Sequence, residues 1–93
     1  MFIHMSIHYP HKSAKKKLRE SMHRFGAAVA NCDGFIEEHV LEDENSDKMI
    51  GYIKWNNKDS MLANVQLAAD AVKNDDFNSW EKFPPEVYYL DEV

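Results

Sequence analysis

Cysteine, glycine and proline are scarce: one, three and three in 93 residues. The lone Cys32 cannot close an intrachain disulfide, offers no C-x₂-C ligand pair, and suits a reducing compartment. Three scattered glycines cannot build a phosphate-cradling loop, and no G-x-S-x-G occurs. No apolar run approaches the ~20 residues that span a bilayer. The opening Met-Phe-Ile-His-Met is broken by histidine and has no basic segment before it, so no signal peptide is expected. Positive charge is also short. Eleven Lys and Arg against sixteen Asp and Glu leave a net charge of −5, which argues against a nucleic-acid partner. The one basic cluster, Lys15-Lys16-Lys17 with Arg19, is answered by the acidic run Glu37 to Asp47. These absences leave one domain over residues 1–93 with a thin core, expected in the cytoplasm and away from membranes.

What is present is alternation. Phe2 to Tyr9 puts Ile3, Met5, Ile7 and Tyr9 on one face and Phe2, His4, Ser6 and His8 on the other. Pro10 ends that strand, and Ser13 is the expected cap of a helix from about Ala14 to Asn31. Leu18, Met22, Phe25 and Val29 form its apolar stripe. Asn31-Cys32-Asp33-Gly34 is turn chemistry, with Gly34 free to take positive φ. Phe35 to Leu41 and Met49 to Trp55 read as antiparallel neighbours joined by a polar connection. Asn57 or Asp59 then caps a helix from about Lys58 to Lys73, with Met61, Val65, Ala68 and Val72 as its stripe and Leu62 and Ala69 widening it. Phe77, Trp80 and Phe83 mark a short helical turn, and Glu86 to Leu90 a last strand. The order β-α-β-β-α-β is the ferredoxin-like split arrangement of an α+β fold, a four-stranded antiparallel sheet covered by helices.

Gly34 opening the second strand, and Ile53-Lys54-Trp55-Asn56-Asn57-Lys58-Asp59 closing the third, give the chain a resemblance to the antibiotic-biosynthesis-monooxygenase domain. The likeness runs over nearly the whole chain. It implies a dimeric α+β barrel with a pocket in each subunit between sheet and helices. It also implies one of several activities, since the family includes cofactor-independent oxygenases of aromatic polyketides, haem-degrading enzymes and quinone-related proteins. The haem-degrading branch carries an axial histidine on the second helix, and residues 58–73 contain none. A homodimer follows separately from the apolar character of both faces of the first and third strands, because a bare face would expose a large contiguous patch.

The five histidines show no metal-ligand spacing. His4 and His8 share a strand face but lie ~13 Å apart along it, and Ser6 stands ~7 Å from each, beyond the reach of an activated serine. No metal or cofactor is expected. The remaining candidates form an apolar pocket: His4 and His8 as bases, with Ser6, His23, Phe25, Tyr52, Trp55 and Trp80 as its lining. Such a pocket suits a cofactor-independent monooxygenase acting on a small aromatic or quinone-like molecule, with a neutral histidine taking the first proton near pH 7. The alternative is a non-catalytic barrel that binds a small hydrophobic ligand or has an accessory role. A roomy pocket with a histidine on its wall favours the first reading. An interior filled by Phe25, Phe35, Trp55 and Trp80 favours the second.

Overall fold

The computed structural model describes residues 1–93. In chain order the elements are β1 (Phe2–His8), α1 (Lys15–Ala27), β2 (Phe35–Glu42), β3 (Met49–Trp55), α2 (Lys58–Ala71), α3 (Phe77–Trp80) and β4 (Glu86–Asp91). The sheet runs β2-β3-β1-β4 with every neighbouring pair antiparallel, so β1 is central and β2 is an edge, as the split order requires.

Strand alternation decides what each face carries. Phe2, His4, Ser6 and His8 face the helices, opposite Trp55, Ile53, Gly51 and Met49 of β3. Ile3, Met5 and Ile7 look away, opposite Lys54, Tyr52 and Ile50. A register shift between Phe35 and Glu37 lets β2 set Glu38 and Val40 beside Ile53 and Gly51, on the helix side.

The helix ends depart from the sequence reading. Ser13 does not cap α1. A 3₁₀ turn, Lys12–Ala14, precedes it, and Ala14 stands at the cap without a side-chain hydrogen bond. The chain leaving β1 is held extended by the segment after α3: Lys82 N–H donates to the Tyr9 carbonyl (2.8 Å) and His11 N–H to the Trp80 carbonyl (2.8 Å). The helix therefore starts from a tight turn. Its end at Ala27 comes early because Val29 N–H bonds back to Gly26 (3.2 Å) and Ala30 N–H to Ala27, tightening the last turn. The second helix starts as expected, with the Asn57 side chain accepting from Ser60 N–H at 2.9 Å. Leu62 does not widen its buried stripe. It follows Met61 by ~100° of helix rotation and points outward. Gly34 has φ +87°, and a Cβ there would lie 2.2 Å from Ser60 Oγ, so conformation and space both require glycine.

The core is split in two. Phe2, Val29, Ile53, Trp55, Met61 and Ala68 pack at one end of the sheet, with Phe25, Phe35 and Val65 against them. Leu18, Met22 and Met49 pack at the other end, with Val40, Phe77 and Trp80. No helix is long and apolar enough to cross a membrane.

Candidate functional site

Between the two core clusters lies a cavity of about 510 Å³. Its floor is the helix-side face of β1, with His4, Ser6 and His8 in a row. Met22 and Phe25 of α1, Val65 of α2, Val72 just after it, and Val87 and Tyr89 of β4 complete the walls. Gly51 pairs with Ser6 across the ladder, and the space left by its missing side chain is taken by the Met22 methyl. A Cβ at position 51 would stand 3.6 Å from Ser6 Oγ and 2.7 Å from the Met22 methyl.

The polar floor is a connected chain. His8 Nε2 lies 2.9 Å from Ser6 Oγ, and His8 Nδ1 lies 3.0 Å from Glu81 Oε1. Tyr9 N–H donates to the same carboxylate oxygen at 3.2 Å. Because Glu81 accepts, Nδ1 of a neutral His8 carries its proton, and Nε2 accepts from the Ser6 hydroxyl. Glu81 and His8 are both buried, and Glu81 Oε2 has no hydrogen-bond partner. Several contacts hold Glu81 there. Residues 80–82 bridge to residues 9–11. The turn before α3 is fastened to α1 by Ser21 Oγ donating to Asp75 (2.6 Å) and by Arg24 (2.9 Å). The Ser21 hydroxyl, and after it Arg24, holds the Asp75 carboxyl below its ordinary range against the opposing effect of desolvation.

His4 is held differently. Its ring stacks on Tyr89 (centroids 5.1 Å apart, 9° between planes) and meets the edge of Phe25 at 6.0 Å. Burial lowers its pKa below 6.5, because desolvation disfavours the charged ring. The folded state thus binds fewer protons than the unfolded chain as pH falls through 6.5, and this part of the stability is lost on acidification. Urea unfolding of wild type and His4→Phe should show it. The wild type is expected to lose stability relative to the variant from pH 7.5 to 5; parallel curves would refute the assignment.

Of the residues expected at the site, His4, Ser6, His8 and Phe25 do line one cavity. Tyr52 borders it, but by alternation its ring lies on the far side of the sheet, 5.2 Å from the His39 ring. His23 is not brought to the cavity. It is exposed on α1, 3.7 Å from Glu38. Trp55 and Trp80 are not lining either: Trp55 is buried in one core cluster, and Trp80 is half-buried against the other. The spacing argument against a serine–histidine contact fails, since side chains two apart on one strand face can lean together and close the gap to 2.9 Å. Glu81 is not singled out by the sequence: it follows α3 in extended backbone, where no periodicity marks it. Glu38 of β2 is also on the wall. Its carboxylate fills the room left by Gly26, where a Cβ would come within 2.7 Å.

No family model matches the sequence, and no curated protein does. Solved structures do match in fold. Rv0793 from Mycobacterium tuberculosis superposes with a TM-score of 0.83 at 11% identity, over 99% of this chain and 94% of its own. SnoaB, a cofactor-independent oxygenase from Streptomyces nogalater, gives 0.76 at 14% over 98% and 91%. A protein from Deinococcus radiodurans, provisionally named an antibiotic biosynthesis monooxygenase, gives 0.75 at 19% over 100% and 93%. At these identities the likeness is one of fold, and the chain has the ferredoxin-like α+β fold of antibiotic-biosynthesis-monooxygenase domain proteins.

Proposed function

We propose that this protein is a cofactor-independent monooxygenase acting on a small aromatic or quinone-like molecule. The observation that carries this reading is the apolar cavity of about 510 Å³ floored by His4, Ser6 and His8. It has room for a fused ring system. In the reaction we infer, a substrate CH₂ activated by the ring gives a proton to Ser6 Oγ as the serine proton passes to His8 Nε2. Glu81 holds His8 in the accepting tautomer and balances the imidazolium that forms. His4, kept neutral by burial, offers a ring N–H to the substrate anion. The carbanion gives one electron to O₂, the radical pair combines to a peroxide anion that takes back the proton held by His8, and loss of water from the hydroperoxide leaves a ring carbonyl. Incubation with a panel of anthrones, which carry such a CH₂, should consume one O₂ per carbonyl formed. No uptake across the panel would reject the reading.

We place the partner of the uncovered sheet face as a second copy of this chain. That face carries Ile3, Met5 and Ile7 between Tyr52 and Ile50 on one side and Tyr88 and Leu90 on the other. Tyr88 and Leu90 are 40% and 38% exposed in the single chain, and a two-fold contact would cover them all. Light scattering should report a dimer at micromolar concentration, and Ile7→Lys should dissociate or unfold it by burying an unpaired charge. A wild-type monomer would refute the interface. The free Cys32 and the lack of an intrachain disulfide fit the cytoplasm.

A further inference from the structure

We propose that Ser6 is also a covalent nucleophile, and that the protein hydrolyses small apolar esters through an acyl-enzyme at this residue. The reading goes beyond oxygenation and does not rest on it, because its co-reactant is water. The connectivity is that of an activated serine: hydroxyl to Nε2 at 2.9 Å, Nδ1 to carboxylate at 3.0 Å. Here all three groups are fixed before any substrate arrives. Tyr9 N–H and the 80–82 bridge hold Glu81, and Glu81 orients His8. Glu81 Oε2 is buried without a partner, so the carboxylate's charge is left for the imidazolium to compensate.

The serine also has open space in front of it. Ser6 lines the cavity, and Gly51, its neighbour across the ladder, puts no side chain beside Oγ. The walls around it are Phe25, Val65 and Val87, so the acyl group taken is uncharged.

The steps balance. Ser6 Oγ attacks the ester carbonyl as its proton moves to His8 Nε2. The tetrahedral intermediate collapses, the C–O bond to the leaving alcohol breaks, and that alcohol departs with the His8 proton. Water then attacks the acyl-serine and gives a proton to His8, the bond from the acyl carbon to Ser6 Oγ breaks as His8 returns that proton to Oγ, and the carboxylic acid leaves with Ser6 restored. The oxyanion is met by His4, two residues back on the same face, whose ring makes aromatic contacts and no hydrogen bond within the protein. One donor is fewer than dedicated hydrolases use, so acylation is the sensitive readout and turnover is slow.

The test uses the full chain with a fluorophosphonate and with p-nitrophenyl butyrate, under argon so that oxygenase chemistry is silent. The expected result is one phosphonyl group per chain, fluoride displaced, mapped by peptide mass to Ser6. Ser6→Ala should abolish the adduct, and His8→Ala should slow it by roughly 10²–10⁴-fold. Glu81→Gln should lower kcat for the ester with KM unchanged, as a positioning role requires. Folding of each variant is checked by circular dichroism. No adduct on folded wild type, an adduct on another residue, or ester hydrolysis undiminished in folded Ser6→Ala would overturn the proposal.

Discussion

Trp55→Ala is expected to destabilise the protein by about 3–5 kcal/mol, the cost of deleting a large buried ring. For a chain of this size that lowers Tm by roughly 15–30 °C. The ring is 1% exposed at the end of β3 and meets Phe35 edge-to-face at 6.0 Å. It packs with Phe2, Ile53 and Met61, so it joins two strands to the start of α2. Its Nε1 has no hydrogen-bond partner, which places its whole contribution in packing. Thermal melting read by circular dichroism is the measurement. A variant that melts within a few degrees of wild type would mean that the neighbours collapse into the space and the anchoring argument fails.

The second large effect concerns the proton. Once a substrate is found, His8→Ala should lower the rate of O₂ uptake by ~10²–10⁴-fold, the usual worth of a general base. His8 is set apart from His4 by its partners: Glu81 on one nitrogen, Ser6 on the other. His4→Ala removes only the donor to the anion and should cost less. His11→Ala is the surface control, since His11 is exposed in the connection after β1 and makes no side-chain contact with the cavity. Equal rates in all three variants would remove β1 from the mechanism.

The strand order, the central place of β1 and the buried stripe of α1 were legible in the sequence because period and turn chemistry determine them locally. Leu18 and Met22 are buried at the spacing that predicts it, and Val29 is buried just past the end of the helix. Alternation also grouped His4, Ser6 and His8 on one face, though only the structure says that this is the helix side. The rest of the site was not local. Glu81 reaches His8 across 73 residues, through a bridge between two irregular segments that no periodicity announces. The large rings misled for a physical reason. Trp55 and Trp80 fill space, so the cavity lies where they are not.

That separation has an evolutionary consequence. The side chains that hold the molecule together sit at the two ends of the sheet, while Phe25, Val65, Val87 and Tyr89 border empty volume and are only partly packed. Exchanging one of them changes the shape of the chamber without opening a new void in a close-packed interior, so it carries little of the penalty that core truncations incur. Descendants of this chain can therefore reshape the chamber by single steps while remaining folded.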